Sequence, residues 1–438
     1  MGSYLSHTPA QEQEMLREAG YRDYDHLFEE VPEAVRLGRP LRIPAGGSEL
    51  EVRRRVEAMA AKNRVFPHIF RGAGAYHHYI PAIVRQVTSK EEFVTAYTPY
   101  QAEISQGNLQ AIFEYQTMIC ELTGMEAANA SVYDGATAAA EAVFMCRDRK
   151  KTRVLVSAAV NPQTIETIRT YCHGRDAAVE LVPAKDGATD PEALLGMLDG
   201  TVACLVAQQP NYWGIVEDAA ALCQAVHGAG GKAVLSVNPI SLGLLETPAE
   251  AGADIAVGEG QPLGMPLSFG GPYLGFMACT KEMMRKLPGR IVGQTVDTEG
   301  KRGFVLTLQA REQHIRREKA SSNICSNQAL CALTASVYLS AMGPQGLRQA
   351  AELCCSKAHY LQKALAEAGL APVYDREFFH EFATRCPVEP EKLLRRLEEA
   401  GYLGGLPLPD GSLLWCATEM NTKEEMDDLA GLVKEVLG

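Results

Sequence analysis

The polar residues best placed for chemistry lie in a segment that core packing does not explain. Residues 97–108, YTPYQAEISQGN, bring two tyrosines, three amides and a carboxylate together around a proline, just ahead of a predicted helix. Tyr97, Tyr100 and Gln101 could form hydrogen bonds with a bound molecule. The same pattern is typical of a helix entrance with Ser105 or Asn108 as a local cap. The residues alone leave these two interpretations even.

A second segment, from residue 134 to residue 137, opens a predicted helix with small residues. Free N–H groups and the positive end of the helix dipole can bind an anion there. Asp134, Gly135, Ala136 and Thr137 are therefore a candidate phosphate site. Small residues at a helix start are also typical of a helix that packs closely on a sheet, and without context the sequence favours that interpretation.

Two further segments have unusual compositions. Residues 258–275, GEGQPLGMPLSFGGPYLG, form a long irregular connection without a lysine, and connections of this kind are more often functional than not. Residues 316–328, RREKASSNICSNQ, bring cations beside Ser321, Ser322 and Asn323, so they could pair with a phosphate or a carboxylate. The alternative is a solvated charge run followed by a helix cap at Ser326 or Asn327.

The elements that must position these segments indicate an α/β fold. Between residues 153 and 279, short apolar runs alternate with amphipathic stretches, which predicts a largely parallel sheet with helices on both faces. A helix is predicted over 107–124, and long helical patterns with two late strands follow residue 327. The predicted domains are a helical arm at 1–62, a large α/β domain at 63–327, and a connecting helix with a small α+β domain at 328–438. The predicted strands of the large domain are RVLVS, VELV, VACLVAQ, KAVLSV, DIAVG and LGFMAC.

Composition excludes several classes of function. The 438 residues are 46% hydrophobic and 22% charged, which is typical of a folded protein with a large core. A net charge of -12 provides no positive field for nucleic acid or an anionic membrane. The longest apolar runs are too short to span a bilayer, and the first residues lack the pattern of an export signal. The 12 cysteines show no metal-binding spacing, which predicts reduced thiols in the cytoplasm and no metal site.

Three segments, taken in order, closely resemble the glycine cleavage system P-protein family. They are residues 97–142, 252–276 and 317–330, and the likeness extends over roughly residues 63–327. The length resembles that of subunit 1 in the two-subunit form of this family. The resemblance implies a fold type I enzyme dependent on pyridoxal phosphate (PLP). In such a complex glycine loses CO2 and its aminomethyl group passes to the lipoyl arm of H-protein.

The resemblance also implies two cofactor residues that this chain lacks. The family's cofactor-binding half has a lysine in a His-Lys-Thr motif ahead of its glycine-rich loop, and Gln261 stands at that position here. Asn238 falls near the position of the aspartate that faces the pyridine nitrogen. A glutamine amide is not nucleophilic, and asparagine carries no charge. We therefore expect PLP on subunit 2 and no covalent PLP on this chain, where residues 134–137 would be a relict phosphate cup.

Family membership further implies an active site shared between subunits. This chain would contribute six polar residues to the partner's site, and its partners would be subunit 2, lipoylated H-protein and glycine. The first alternative is a non-catalytic scaffold that stabilises subunit 2. The second, ranked last, is an independent PLP enzyme that uses another lysine, such as Lys232 or Lys281. The six candidates are Tyr97, Tyr100, Gln101, Ser321, Ser322 and Asn323.

Overall fold

The computed structural model describes residues 6–175 and 177–438. The chain separates into two compact units between Val65 and Phe66. Capping boxes start two helices of the first unit, where the Thr8 and Ser48 side chains accept from the backbone N–H three residues later. The helices described in the first unit are α1 (Pro9–Glu18), α2 (Tyr24–Leu27) and α3 (Glu49–Ala60).

The second unit holds all of the strands described in the structure. Each predicted strand of the large domain is present, with ends that differ from the prediction by one residue at most. The strands are β1 (His68–Ile69), β2 (Ala127–Ala128), β3 (Arg153–Ser157), β4 (Val179–Val182), β5 (Ala184–Lys185), β6 (Ala188–Thr189), β7 (Val202–Gln209), β8 (Lys232–Val237), β9 (Ile255–Glu259), β10 (Gly275–Cys279), β11 (Ile291–Val296), β12 (Arg302–Thr307), β13 (Glu381–Thr384), β14 (Tyr402–Leu403), β15 (Leu406–Pro407) and β16 (Leu413–Cys416).

The helices of the second unit include both helices predicted ahead of the sheet. The helix predicted over 107–124 is α6, and Gly124 ends it in the left-handed conformation at φ 71°. The helix predicted near Asp134 is α7. The helices are α4 (Ala82–Thr88), α5 (Glu91–Val94), α6 (Gln106–Thr123), α7 (Gly135–Cys146), α8 (Pro162–His173), α9 (Pro191–Met197), α10 (Ala219–Gly228), α11 (Gln313–Arg316), α12 (Ala329–Glu367), α13 (Pro390–Glu399) and α14 (Lys423–Leu437).

The central sheet has seven strands in the order β2-β10-β9-β8-β7-β3-β4. The five strands from β9 to β4 are parallel, whereas β10 runs antiparallel to both of its neighbours. Successive residues of β7 contact opposite cores: Leu205 packs with Ile119 of α6, and Val206 packs with Val143 of α7. This two-sided burial explains why the parallel strands are continuous apolar runs. The predicted mostly parallel sheet between helices is confirmed.

The chain after residue 328 supplies a long helix and a smaller antiparallel sheet. In α12 two helical segments meet at Gly343, whose φ of 60° and ψ of 178° are not helical, just before Pro344. Strands β13, β16 and β15 form the small sheet, and α13 and α14 pack against it around the fully buried Trp415. Strand β1 pairs with β14, so residues 68–69 join this part of the fold.

No helix within residues 6–175 and 177–438 is long and apolar enough to span a bilayer.

Candidate functional site

A cavity of ≈ 520 Å³ opens at the carboxyl ends of the parallel strands. Gln208 from β7, Ser236 from β8 and Glu259 from β9 line it, and so do residues at the starts of α7 and α8. Ligands of open α/β sheets bind at this edge, because the loops and helix starts that follow the strands meet there. The cavity is therefore a candidate cofactor site.

The start of α7 forms one wall of the cavity. Asp134 caps the helix: its Oδ1 accepts a hydrogen bond from the Thr137 N–H at 2.8 Å, and the Thr137 hydroxyl accepts from the Asp134 N–H at 3.1 Å. The Gly135 N–H donates to Glu259 Oε2 at 3.0 Å. A Cβ atom on residue 135 would lie 2.7 Å from the Glu259 nitrogen, so only glycine permits this approach. Close packing of α7 on β9, one of the two interpretations of the sequence, is what the structure shows.

Glu259 lies where the strand, the helix start and the cavity meet. Its Oε1 atom accepts hydrogen bonds from the N–H groups of Gln261 at 3.0 Å and Leu274 at 2.9 Å. Burial raises the pKa of Glu259 to about 7, although its three backbone hydrogen bonds favour the charged form. The sequence pattern did not single out this residue, because its partners at Gly135 and Leu274 are distant in the chain.

Gln261, at the family's lysine position, is fully buried and does not line the cavity. Its Oε1 atom accepts from the Tyr76 N–H at 2.8 Å. Its Nε2 group donates to the carbonyl oxygens of Tyr76 at 2.9 Å and Met265 at 2.7 Å. The amide joins the segment around Tyr76 to the glycine-rich connection, and these bonds use both of its N–H donors and one of the two lone pairs on its oxygen.

Asn238 does line the cavity, and its side chain is uncharged. Its Oδ1 atom accepts from the Ile240 N–H at 2.9 Å, and its Nδ2 group lies 3.4 Å from His380 Nε2. Burial lowers the pKa of His380 to about 3, so this imidazole is neutral at physiological pH. Neither side chain can provide the carboxylate that would strengthen a pyridine as an electron sink.

A third carboxylate, Glu381, lines the opposite wall. It accepts from the Ala73 N–H at 2.6 Å and from the Tyr76 hydroxyl at 2.8 Å. Burial raises its pKa to about 7. Together with Asp134 and Glu259, it makes the lining acidic, and no lysine, arginine or histidine is among the lining residues described.

These residues do not fit PLP. Gln261, which is predicted at the lysine position, is an amide bonded internally, and Asn238, which is predicted near the aspartate position, is neutral. A carboxylate occupies the helix start that the sequence predicts as a phosphate site. The two lysines suggested for an independent PLP enzyme cannot serve as the anchor in this cavity. Lys232 begins β8 and donates to Asp254 Oδ1 at 2.7 Å, and Lys281 follows the antiparallel β10, so both lie at the edge of the sheet opposite the cavity.

The two tyrosines of the polar segment lie at the surface. Tyr97 is 89% exposed and borders a cavity of ≈ 160 Å³ with Leu330 at the start of α12. Tyr100 is 62% exposed and borders a different cavity, of ≈ 510 Å³. Gln101 begins a short turn at 102–104 and is also exposed. Ser105 is the N-cap residue of α6, as predicted, but its side chain makes no capping hydrogen bond.

The later loop reaches the Tyr100 cavity from two places. Arg317 and Glu318 line that cavity, and so do Ile324 and Cys325, together with Arg290. Arg290 donates to the Cys325 carbonyl and to Asn327 Oδ1, both at 3.0 Å, and its guanidinium lies 5.8 Å from the centre of the Tyr100 ring. Arg290 thus links the two polar segments. The sequence did not indicate it, because an isolated arginine after a turn has no local signature.

The three named residues of that loop are not equally available. Ser322 is only 9% exposed; its Oγ accepts from the Ile324 N–H at 3.1 Å, and it hydrogen-bonds to Glu141. The Ser321 carbonyl accepts from Arg175 at 2.7 Å, whereas Asn323 is exposed. Asn327 donates to the Ala130 carbonyl and to Ser131 Oγ and does not cap α12, which starts after Gln328 without a side-chain cap. The predicted cap at residue 326 or 327 is therefore wrong.

Comparison with known proteins identifies the family of this fold. The family model of the glycine cleavage system P-protein matches residues 2–433. The chain belongs to this P-protein family. It is 50% identical over 443 residues to a "probable glycine dehydrogenase (decarboxylating) subunit 1" of Moorella thermoacetica, covering 99% of this chain and 100% of that one. A protein of the same name from Syntrophomonas wolfei is 51% identical, with 98% of each chain covered.

Solved structures give the same result for the fold. A crystal structure of glycine decarboxylase, the P-protein of the glycine cleavage system, in an inhibitor-bound form has a TM-score of 0.94 at 44% identity; 99% of this chain and 100% of that chain are covered. A Thermus thermophilus aspartate aminotransferase matches with a TM-score of 0.59 at 18% identity over 84% of this chain and 99% of that one. That second likeness concerns the fold alone. The predicted fold class, PLP-dependent fold type I, and the predicted P-protein family are confirmed.

Proposed function

We propose that this chain is the non-PLP-binding subunit of a heteromeric P-protein. In the complex, glycine is decarboxylated with PLP held on subunit 2, and the aminomethyl group passes to the lipoyl arm of H-protein. PLP supplies the electron sink for that step. The observation that carries the proposal is Gln261, a fully buried amide bonded to Tyr76 and Met265 at the lysine position. The names of the subunit 1 relatives support a partner subunit.

This chain's contribution to the shared site would be made by its exposed polar loops. Tyr97, Tyr100, Gln101 and Asn323 present side chains to solvent, where a partner subunit could use them. Ser321 and Ser322 remain candidates of a different kind, because the Ser321 carbonyl and the Ser322 hydroxyl form hydrogen bonds that fix the loop itself. Arg290 would hold Tyr100 and the later loop in one arrangement, as a positioning residue. We place the complex in the cytoplasm, since the 12 cysteines are free thiols.

The first experiment assays each subunit separately and then mixed, with glycine, PLP and lipoylated H-protein. We expect decarboxylation only in the mixture. Full activity of subunit 2 alone would instead favour the scaffold alternative, in which this chain changes only stability. Activity of this chain alone, with PLP that borohydride fixes to it, would overturn the proposal in favour of an independent enzyme.

The second experiment tests the shared site in the mixed complex. Tyr97→Phe and Tyr100→Phe each remove one exposed hydroxyl group, and Ser322→Ala removes a buried one. We expect decarboxylation to fall about tenfold or more for at least one of the tyrosine variants, since a hydrogen bond to a charged group is worth roughly 1.5–3 kcal/mol. Tyr79→Phe, at an exposed tyrosine outside these loops, is the control. Wild-type activity in all three variants would refute the shared site.

A further inference from the structure

Two N–H groups at the start of α7, those of Gly135 and Thr137, donate to carboxylates of the chain. The Gly135 N–H donates to Glu259 Oε2 at 3.0 Å, while the Gln261 and Leu274 N–H groups donate to Glu259 Oε1 at 3.0 and 2.9 Å. Three backbone donors therefore converge on one side chain. Converging N–H groups at a helix start are the arrangement with which proteins bind phosphate. Here the Glu259 carboxylate of the chain itself accepts these hydrogen bonds.

A second carboxylate, that of Asp134, accepts from another N–H group of the first turn. Asp134 Oδ1 accepts from the Thr137 N–H at 2.8 Å, so two of the first three residues of α7 already donate to carboxylates. A phosphate that approached would have to displace Glu259 and would be repelled by Asp134. The cavity lining described here offers no cation to offset that repulsion.

Backbone packing holds the Glu259 carboxylate at this place by bringing β9 and α7 into contact. A Cβ atom on Gly135 would lie 2.7 Å from the Glu259 nitrogen and 3.0 Å from its Cα atom. Because the end of β9 and the start of α7 are this close, the Glu259 side chain lies against the helix start. Its position is a consequence of the sheet and helix packing.

We propose that Glu259 is an internal substitute for the cofactor phosphate, so that this chain folds without PLP and its cavity takes no phosphorylated ligand. The candidate phosphate site at residues 134–137 is then closed in the wild-type chain. This inference rests on the proposed function in one respect, that the covalent chemistry lies on subunit 2.

The test measures binding of inorganic phosphate to the purified full-length chain and its variants by thermal melting. Glu259→Ala empties the three-donor arrangement, and Glu259→Gln keeps its size but removes the charge. We expect no effect of phosphate on the wild type. In Glu259→Ala, phosphate at about one hundred times its Kd should raise the Tm by about 3 °C. Glu381→Gln is the matched control, since Glu381 lines the same cavity but bonds to the Ala73 N–H and not to α7. Phosphate should leave the Tm of this variant unchanged, as in the wild type.

The possible outcomes separate this inference from the proposed function. If Glu259→Ala does not fold, Glu259→Gln provides the test. The neutral amide does not repel phosphate and accepts the backbone hydrogen bonds less strongly than a carboxylate, so phosphate can displace it, and this variant should gain weaker binding than Glu259→Ala. The inference is overturned if the folded variants bind no phosphate, or if the wild type binds phosphate or PLP in a form that dialysis removes. The second result would leave the proposed function intact. PLP fixed to the wild-type chain by borohydride would instead overturn the proposed function itself.

Discussion

Two glutamates of the cavity, Glu259 and Glu381, have pKa values of about 7 because burial disfavours their charged forms. Both retain hydrogen-bond donors that suit a carboxylate. An active site of this fold would need cations for a phosphate and a carboxylate for a pyridine nitrogen. Here the cavity lining that the structure describes has carboxylates and no cation, and Asn238, which the resemblance places near the position of the pyridine-binding aspartate, is uncharged. These cavity residues therefore distinguish this chain from the enzymes of the same fold that bind the cofactor.

Glu381 predicts a stability that depends on pH. Its pKa rises from 4.5 in the unfolded chain to about 7 in the folded chain. The unfolded form loses its proton first, so stability should fall as pH rises from about 4.5 to about 7 and then level off. The contribution is roughly 3 kcal/mol at most. Glu381→Gln should stabilise the protein at pH 8 relative to the wild type and have little effect at pH 5.

Urea unfolding at the two pH values measures this difference. Glu367→Gln, at an exposed glutamate near the end of α12, is the control and should leave the pH dependence unchanged. An equal effect of Glu381→Gln at pH 5 and pH 8 would contradict the assigned protonation.

At the scale of elements, close contact between α7 and β9 determines the shape of the cavity. Gly135→Ala should therefore separate the helix start from the strand, since its Cβ would lie 2.7 Å from the Glu259 nitrogen. We expect a loss of about 1–3 kcal/mol in the free energy of unfolding. The matched variant is Gly107→Ala in α6, where no atom lies within 4 Å of the added Cβ. That variant should gain up to about 1 kcal/mol, because alanine is the better helix former.

Urea unfolding compares both glycine variants with the wild type. A Gly135→Ala protein as stable as the wild type would show that α7 and β9 can separate at no cost. The close approach would then not explain why glycine stands at this position.

A buried polar junction ties the small sheet to the rest of the second unit. Glu419 follows β16 and accepts from His78 Nδ1 at 2.8 Å, from the Tyr79 N–H at 2.7 Å and from the Cys354 thiol at 3.2 Å. Burial raises its pKa, but these donors prevail and bring the pKa to about 2. The His78, Cys354 and Glu419 ligand atoms lie within 4.8 Å of one another, and the hydrogen bonds among them account for this proximity. Three separate segments thus meet at one carboxylate.

Removing that carboxylate should destabilise the fold. Glu419→Ala leaves two buried donors, the His78 ring and the Cys354 thiol, without their acceptor, so we expect a loss of roughly 2–4 kcal/mol in the free energy of unfolding. Glu424→Ala, at an exposed position in α14, is the control and should stay within about 0.5 kcal/mol. Urea unfolding measures both variants, and equal stabilities would show that the junction contributes nothing.

For the whole molecule, exposed apolar side chains gather around the polar loop at residues 97–101. The loop itself contains the exposed Tyr97, and the exposed Val94 and Ile104 lie on either side of it in the chain. Leu330, also exposed, lies at the start of α12. Tyr97 and Leu330 border the same small cavity. An apolar surface of this kind, next to polar residues, is typical of a protein interface. It supports the proposal that the partner subunit covers this face.

A charge placed on that surface should weaken the complex. Ile104 is 81% exposed, so Ile104→Asp should leave the fold of this chain intact while burying a carboxylate in the interface. We expect about tenfold more of this subunit to be needed for half-maximal glycine decarboxylation, equivalent to about 1.4 kcal/mol. Titration of subunit 2 with each variant measures this concentration. Val296→Asp, at a 64% exposed position in β11, is the control, and equal effects of the two variants would argue against the assigned face.

The sequence by itself determined the elements and the family. Apolar runs such as KAVLSV produced the strands, and Asp134 with Thr137 started α7, because both signals arise from residues within a few positions of one another. The glutamine at the family's lysine position was also visible without a structure. Each of these features is local, so reading along the chain is enough to find it.

Only the tertiary structure decided what surrounds the cavity. The Gly135 N–H and the Glu259 carboxylate are 124 positions apart, and the Tyr76 hydroxyl and Glu381 are 305 apart. Strand order and register bring such pairs together, and neither can be deduced from the local pattern around each residue. The same holds for Arg290, which links two loops that the sequence had treated separately. A carboxylate in place of a phosphate thus became visible only when β9 was placed against the start of α7.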